Sequence, residues 1–422
     1  MKKIYLCLLF LFVPLIIAAQ ALLPEQTRVS EGIDYNSFYP HILLRHEVGT
    51  FFKLPKNPVF RPARQGWDSR DVADPFITVS TDTVTLWYDG SSGGSYHIGR
   101  AVLDKDGWYW QRSGREEITP TTGYTYHLIA PAFIPGAGQA MLLLNGNDSD
   151  SELGYRLGLA RKTERSWHIK DLELSIPQSG NWDNSGRAYA TVLYLPEKRQ
   201  RVLYYSGFSG LLSSIGRAEQ NAKGTWRTGN KPVYNALPGV IAPHVIYNGR
   251  NFTMYYVRLN LNSGFGSHIE KAVSDDGINW HFRDVVLKPE KRWEGRRLMR
   301  PHLSYYEGSF HLFYCAQRGS NWRIGEARAG GLFRARGSVF IKIENTRRLI
   351  IDYEQTPGTA LELWLNGGEN RKKISTQKQA RRRADVWRVE IDTTPYSGKT
   401  LEVELISEKG TASPVIYRIE RH

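Results

Sequence analysis

The sequence is poor in cysteine, and this scarcity excludes a fold held together by disulfides. Its 422 residues include only two cysteines, Cys7 and Cys315. Cys7 lies in an amino-terminal segment that we expect to be removed, so the mature chain would have no intramolecular disulfide. Cys315 lies in an apolar stretch typical of an inner strand, and we expect it to be a small buried hydrophobic residue rather than a nucleophile.

Long hydrophobic runs are also scarce. The single one extends from Ile4 to Ile17, after Lys2 and Lys3 and before small residues at 18–21. This order predicts a cleaved signal peptide over residues 1–20 and export to the periplasm or the extracellular space. The run is short for a membrane-spanning helix, and no later stretch is apolar enough to span, so we expect no transmembrane segment after cleavage.

Acidic residues are outnumbered by basic ones, 42 to 56, which gives a formal net charge of +14. For an exported protein, this excess favours anionic glycans or an anionic cell surface over nucleic acid as a partner. A basic surface that serves only solubility is equally compatible with the composition.

One four-residue phrase, Ile-Gly-x-Ala with small variations, returns five times. It begins at Ile98, Leu157, Ile215, Ile269 and Ile324, so successive copies are 54 to 59 residues apart. Each copy follows a segment rich in tyrosine and leucine, and four are followed by a tryptophan. Because these flanking segments are typical of short strands and turns, the repeat predicts an all-β fold, a five-bladed β-propeller over residues 21–330.

The remaining residues, 331–422, alternate apolar and polar side chains in several short segments. This pattern predicts a small β-sandwich-like carboxyl-terminal domain. The basic run over residues 372–383 is expected to be a solvated loop, with an acidic polymer as an alternative partner.

The repeat also allows equivalent positions to be compared. The first strand of each repeat has one position that is proline in four repeats and alanine in one. The residues just before this position are Asp74, Ala130, Tyr189, Ala242 and Arg300. The residues just after it are Phe76, Ala132, Thr191, His244 and His302. First strands lie nearest the axis of a propeller, so these side chains should converge. Asp74 is the only carboxylate in the first set and is therefore the leading catalytic candidate. The alternative is an aspartate that shapes a turn before proline.

A second set of acids recurs in the loops that lead into three first strands. Trp67-Asp68, Trp182-Asp183 and Trp293-Glu294 occupy the same position in their repeats. An acid that recurs in this way either caps loop amides or, as a catalytic group, reaches inward; both interpretations are kept for Asp183 and Glu294.

The segments Val72-Ala73-Asp74-Pro75-Phe76-Ile77, Leu86-Trp87-Tyr88-Asp89-Gly90 and Ile98-Gly99-Arg100-Ala101 together resemble the first blade of the five-bladed glycoside hydrolases of families 43, 32, 62, 68, 117 and 130. The resemblance spans roughly residues 55 to 330, without a close match to one family. It implies a carbohydrate substrate and a catalytic role for Asp74, as the general base in family 43 or the nucleophile in family 32. No cofactor is required, although a structural cation near the axis is compatible with the resemblance.

The chain departs from that pattern at the general acid, which must protonate the leaving oxygen. The third repeat, residues 183–191, contains no glutamate, and the second has Ala130-Pro131 where the families often place another aspartate. His302 could replace the acid, as family 117 is thought to use a histidine. Glu294 or Asp183 could do so from the loops. The remaining alternative is a non-catalytic propeller that only binds glycans.

Several basic and polar residues lie at the same strand entrances and are candidates for substrate binding. They are Arg70, Arg187, Tyr189, His244 and Arg300. Because guanidinium groups bind carboxylates and sulfates with two hydrogen bonds, the arginines favour an anionic sugar; solvated loop charges are the alternative.

Overall fold

A computed structural model describes residues 50–80, 83–105, 107, 109–134, 141–149, 154–164, 166–175, 182–195, 198–247, 251–260, 266–306, 309–329, 338–343, 347–355, 359–366, 372–378, 385–407 and 416–421. The expected signal peptide, residues 1–20, lies outside them. The described residues form strands and turns, with two short 3-10 turns at Arg292–Glu294 and Thr394–Tyr396. They contain no helix with the length and apolar character needed to cross a bilayer.

Four-stranded antiparallel sheets follow one another along the chain. A short strand, β1 (Phe52–Lys53), precedes them. The first sheet contains β2 (Asp71–Val79), β3 (Val84–Ser91), β4 (His97–Leu103) and β5 (Trp110–Arg112). The second contains β6 (His127–Phe133), β7 (Met141–Asn147), β8 (Arg156–Lys162) and β9 (Trp167–Asp171). The third contains β11 (Gly186–Leu195), β12 (Gln200–Ser209), β13 (Leu212–Gln220) and β14 (Trp226–Thr228), with β10 (Leu174–Ser175) parallel to β14.

The fourth group of antiparallel strands, called the fourth sheet below, contains β15 (Val240–Tyr247), β16 (Phe252–Asn260), β17 (Gly266–Ser274) and β18 (His281–Leu287). One parallel pairing, Ser267 with Arg297, joins it to the fifth sheet. The fifth contains β19 (Arg297–Tyr306), β20 (Ser309–Arg318) and β21 (Asn321–Ala329), and β1 pairs with β21 as its fourth strand. The first strands β2, β6, β11, β15 and β19 contact one another in that order, and β19 contacts β2. This closed ring of first strands is the arrangement of a β-propeller.

Aromatic side chains pack between neighbouring sheets. Trp87 contacts Trp167 of the second sheet, with ring centroids 6.2 Å apart. Trp110 meets Phe313 of the fifth sheet at 5.9 Å. The outer-strand tryptophans Trp110 and Trp167 are therefore packing residues. Such buried aromatic pairs contribute both apolar area and favourable ring geometry.

The glycine of the repeated phrase is required by a tryptophan that lies against it. A Cβ atom added to Gly99 or Gly216 would lie 2.5 Å from Trp67 or Trp182, respectively, closer than any real side-chain contact. Gly325 and Trp293 form the same arrangement at 2.7 Å. The repeated glycine therefore has a packing role: it leaves room for the tryptophan of the lead-in loop, which lies directly against it.

Two further sheets follow the ring. One contains β22 (Ser338–Lys342), β24 (Thr359–Asn366), β25 (Lys372–Lys378) and β27 (Thr400–Ser407); the other contains β23 (Arg348–Gln355), β26 (Asp385–Asp392) and β28 (Ile416–Arg421). Buried apolar residues of β23, β24 and β27 form one cluster, so the two sheets share a core. The expectation of a loop over 372–383 is wrong for residues 372–378, which form a strand that pairs with β24.

Candidate active site

Every first strand of the ring carries one β-bulge at the same place. The residue at the bulge has a positive φ in each case: Asp74 47°, Ala130 55°, Tyr189 55°, Ala242 54° and Arg300 51°. The register shifts at each of these points between the first and second strand. Non-glycine residues seldom adopt this conformation, so its repetition marks a built feature of the fold. The positions that the repeat singles out are therefore the bulge positions.

The bulges are capped by side chains from the preceding sheet. Asp89 Oδ1 accepts a hydrogen bond from the Ala130 amide at 3.1 Å, and Asn145 Oδ1 accepts one from the Tyr189 amide at 2.8 Å. Ser206 Oγ accepts one from the Ala242 amide at 2.8 Å. Each cap comes from the residue that follows the aromatic or leucine segment of a second strand. These three hydrogen bonds therefore join neighbouring sheets at the bulges.

The cap position before Asp74 is held by Cys315, on the fifth sheet. Its Sγ lies 3.5 Å from Asp74 Oδ1 and 3.6 Å from the carbonyl oxygen of Met299. Cys315 is buried, as expected, but it packs against the candidate catalytic carboxylate rather than against apolar groups alone. Burial and then the negative charge of Asp74 raise the pKa of the Cys315 thiol well above its usual range, so the thiol stays protonated and donates to Asp74.

A cavity of about 320 Å³ opens above the bulges of the first and third sheets. Asp74, Asp89 and Tyr189 line it together with Arg297 and Trp322. Asp74 and Asp89 are the only carboxylates among its described lining residues. A concave site with aromatic walls and two convergent acids has the composition of a small-molecule or sugar site.

Asp74 and Asp89 titrate together. Both are buried, at 7% and 1% exposure, and their side chains are hydrogen-bonded to each other. Burial raises the pKa of Asp74, and the positive charge of Arg300 opposes this effect. Burial and then the charge of Asp74 raise the pKa of Asp89 well above its usual range. A hydrogen bond between two carboxyl groups needs a proton, and the raised pKa values of both groups favour its retention.

Arg300 lies behind this pair rather than in the cavity wall. It is 2% exposed, and its Nη2 donates to the carbonyl oxygens of Ala130 and Ala190, both at 3.4 Å. Its guanidinium carbon lies 5.8 Å from the centre of the Tyr189 ring. Arg300 is therefore placed to balance the charge of the aspartate pair, not to contact a ligand in the cavity.

The two histidines, His244 and His302, also lie outside the cavity lining. Their ring centroids are 4.5 Å apart, and His302 packs against Phe76 at 4.2 Å. Burial lowers the pKa of His244 to about 3 and the pKa of His302 well below its usual range. Both rings are consequently neutral at physiological pH. The structure does not place His302 where it could protonate a group bound in the cavity.

The lead-in acids are engaged in the loops that carry them. Glu294 is fully buried and accepts hydrogen bonds from Lys53 Nζ, from the Tyr314 hydroxyl at 2.8 Å and from the amides of Glu290 and Lys291 at 2.7 and 2.8 Å. Asp183 binds Arg187 Nε at 2.7 Å and the Tyr205 hydroxyl at 2.9 Å. The structure does not bring either acid into the cavity.

Asp68 shows that the lead-in arrangement repeats. It binds the Tyr88 hydroxyl at 3.0 Å and Arg112 Nε at 2.7 Å. In the fourth sheet, Glu270 replaces the phrase glycine and accepts a 2.6 Å hydrogen bond from the Tyr256 hydroxyl. The acid is thus kept as the partner of a buried tyrosine even where the lead-in tryptophan is absent.

Of the candidate site residues, the cavity brings together Asp74 and Tyr189. Arg187 is paired with Asp183, and Arg70 lies 3.7 Å from Asp71. Arg297 is the only Lys or Arg among the described lining residues, so the interpretation of the arginines as an anion cluster in the cavity loses support. No group of three or more His, Cys, Asp or Glu in the described ranges is arranged to hold a metal ion.

Asp89 was missed as a candidate, although the repeat contains the signal for it. At its position the other sheets carry Asn145, Ser206, Val257 and Cys315, so Asp89 is the only carboxylate. The signal lies in the second strands, whereas the other site candidates lie in the first strands and in the loops that lead into them. Because the first strand bulges, the side chain after the second-strand aromatic reaches the same cavity.

No protein-family model and no curated protein matches this chain. Solved structures do. One, described as a glycoside hydrolase, has a TM-score of 0.55 at 16% identity over 65% of this chain and 92% of its own. The chain has the fold of the glycoside hydrolase propellers. A glycosyl hydrolase from Bacteroides ovatus has a TM-score of 0.55 at 15% identity, covering 67% of this chain and 94% of its own.

A third solved structure comes from work on family 130, described as mannoside phosphorylases that include glycoside hydrolases of β-1,2 mannosidic linkages in Candida mannan. Its TM-score is 0.51 at 14% identity, and the match covers 67% of this chain and 94% of that one. At such identities the likeness establishes the fold, and the chemistry must be argued from the cavity.

Proposed function

We propose that this chain is an exported five-bladed β-propeller with a β-sandwich-like carboxyl-terminal domain, and that it hydrolyses a glycosidic bond in an oligo- or polysaccharide bound in the cavity. The observation that carries the proposal is the Asp74–Asp89 pair in the cavity wall. The five consecutive sheets and the closed ring of their first strands support the blade count.

Asp74 takes the role of general base in this proposal. A base removes a proton from water most effectively when its pKa lies near the working pH, and burial raises the pKa of Asp74 in that direction. The charge of Arg300 opposes this rise and favours the ionised form that a base requires. Water attacks the anomeric carbon as Asp74 accepts its proton, and the glycosidic oxygen leaves with a proton from another donor.

The identity of that donor distinguishes the proposal from its alternative. Inverting pairs are about 6.5–9.5 Å apart and retaining pairs about 5–5.5 Å apart, both wider than a hydrogen-bonded carboxyl pair. Asp74 and Asp89 cannot therefore be the acid and the base of one standard mechanism. The second candidate function, a propeller that binds glycans without cleaving them, is favoured by this single observation.

A panel of neutral and anionic oligosaccharides separates the two functions. Product release by the wild type, lowered about 10²–10⁴-fold in Asp74→Asn, supports hydrolysis with Asp74 as base. Binding without product favours the binding function. Cleavage that is unchanged in Asp74→Asn would reject Asp74 as the base.

Aryl glycosides with good leaving groups sharpen the test of the acid. If no side chain protonates the leaving oxygen, dinitrophenyl glycosides are cleaved and natural glycosides are not, since the former leave without a proton. If natural glycosides are cleaved, and if Asp74→Asn slows the cleavage of both substrate types equally, a side chain that donates a proton to the leaving oxygen exists. Asp183→Asn and Glu294→Gln should then keep their rates per folded molecule, because both acids are engaged in their loops and neither is among the described residues that line the cavity.

A further inference from the structure

A second concave surface lies at the opposite end of the same strands. A groove of about 1200 Å³ runs between the second and third sheets. Arg201, near the start of β12, lines the groove, whereas Phe208, near its end, lines the Asp74 cavity. Seven residues of strand separate them, or about 23 Å at 3.3 Å per residue. The groove is therefore a separate surface and not an extension of the cavity.

The groove is strongly basic. Arg161 (β8), Lys170 (β9), Lys198 and Arg199 (the turn before β12), Arg201 (β12) and Lys223 (the turn before β14) line it, against two acids, Asp171 and Glu173. Asp171 already accepts a hydrogen bond from the Tyr124 hydroxyl at 2.5 Å and lies 3.6 Å from Arg156. The lining thus carries a clear excess of positive charge contributed by separate elements.

These cations face solvent. Lys170, Lys198 and Lys223 are exposed, and none of the three forms an ion pair with an acid in the described part of the chain. The nearby Glu219 is held by Arg217 at 2.5 Å and by Gln200 at 3.1 Å. A concave surface lined mainly by charges of one sign concentrates the electrostatic potential and attracts a ligand of the opposite charge.

We propose that this groove binds an acidic polysaccharide, one that carries carboxylate or sulfate groups, at a site distinct from the Asp74 cavity. Cations from five separate elements suit a chain with repeated charges better than a single small anion. Single-stranded nucleic acid is disfavoured because base binding uses several exposed aromatic faces, and the described lining offers two aromatic residues, of which Trp226 is 3% exposed and Tyr194 is half-buried. The proposal does not depend on hydrolysis by Asp74.

Affinity electrophoresis and calorimetry of the full chain test the groove with dextran sulfate, polygalacturonate and uncharged dextran. The charge-reversal variant Lys170→Glu/Lys198→Glu/Lys223→Glu should weaken binding of both anionic polymers about tenfold or more at low salt. The matched control, Lys105→Glu/Arg283→Glu/Lys288→Glu, makes the same change in net charge at exposed residues outside the groove and should bind within about twofold of the wild type.

A neutral variant, Lys170→Gln/Lys198→Gln/Lys223→Gln, distinguishes a loss of binding from misfolding. Its affinity should lie between those of the wild type and the charge-reversal variant, and its melting temperature should equal that of the wild type. Equal losses in the groove and control variants would overturn the proposal, because they indicate attraction by net charge alone. Tighter binding to a single-stranded oligonucleotide or to anionic phospholipid vesicles than to either polysaccharide would also overturn it. Loss of anionic binding in Asp74→Asn would assign the ligand to the cavity instead.

Discussion

Two sets of buried acids in this ring differ in their surroundings, and the difference separates scaffold from candidate chemistry. Asp68, Asp183 and Glu294 recur at one loop position, and each is bound to a tyrosine hydroxyl and a cation. No other sheet of the ring has a carboxylate at the position of Asp74 or at the position of Asp89. These two residues are hydrogen-bonded to each other and line a cavity.

Burial and charge are common to both sets, so neither property identifies a functional acid on its own. What differs is how the charge is balanced. Each loop acid is paired directly with a cation of its own, so a ligand has nothing to complete. In the other set two carboxyl groups are held against each other, and the charge of Arg300 opposes the rise in their pKa values; this arrangement carries a cost in stability that a structural role does not require.

Removing a loop acid should have the largest effect on stability. Glu294→Gln removes the nearer of the two carboxylates beside the buried Lys53, at 2.8 Å, and leaves Glu290 at 3.7 Å, and we expect the free energy of unfolding to fall by about 3 kcal/mol. Denaturant unfolding measures this loss. Asp74→Asn is the matched control and should be as stable as the wild type or more so, because it removes like-charge repulsion. A loss of similar size in Asp74→Asn would remove the distinction between the two sets.

The contact between the lead-in tryptophan and the phrase glycine should be the next most sensitive. Gly216→Ala places a methyl group 2.5 Å from Trp182, and we expect a loss of about 2 kcal/mol as the ring is displaced. Gly94→Ala is the control, since a Cβ there meets nothing within 4 Å. Equal melting temperatures of Gly216→Ala and the wild type would contradict the close approach.

The pair should also give stability a characteristic pH dependence. The folded-state pKa values of Asp74 and Asp89 are raised above the ordinary value of 3.8, so the folded chain holds more protons than the unfolded chain. This contribution to stability is complete below pH 4 and is lost as the pH rises through the folded pKa. The loss is about 1.4 kcal/mol for each pH unit that separates the folded pKa from the unfolded pKa.

Asp89→Asn should remove that loss, so its stability relative to the wild type rises with pH above 4. Asp276→Asn should show the opposite sign, because backbone hydrogen bonds from Asn279 and Ile278 lower the pKa of Asp276 and its contribution disappears as pH falls. Thermal unfolding between pH 4 and 8 measures the Asp89→Asn difference, and thermal unfolding below pH 4 measures the Asp276→Asn difference, because a lowered pKa changes stability only below the ordinary value of 3.8. A wild-type minus Asp89→Asn difference that is independent of pH would contradict the shared proton.

The smallest effect is expected at Cys315. Its thiol donates to Asp74 and lowers the pKa of that carboxyl, so Cys315→Ala should move the acidic limb of the kcat/KM profile upward by less than about one pH unit. Cys315→Ser keeps a donor and should restore the profile. A change in kcat/KM at all pH values, without movement of the limb, would indicate packing rather than positioning.

The all-β fold and the position of Asp74 where first strands converge could be predicted from the sequence because the repeat makes equivalent residues comparable. The pattern does not show which side chains near that convergence line the cavity: Asp74 and Tyr189 do, whereas His302, His244 and Arg300 are not among its described lining residues. The interpretation of the loop acids stayed open because a sequence pattern does not show their partners. Lys53, which binds Glu294, lies 241 residues away from it in the sequence.

The most direct test compares Asp74→Asn with Asp183→Asn in one hydrolysis assay, with rates expressed per folded molecule and melting temperatures recorded in parallel. We predict that Asp74→Asn loses about 10²–10⁴-fold in rate and keeps its melting temperature. Asp183→Asn should keep its rate and melt earlier, because it loses Arg187 and the Tyr205 hydroxyl. The reverse result, a folded but inactive Asp183→Asn beside an active Asp74→Asn, would contradict the central claim that the unrepeated pair carries the chemistry.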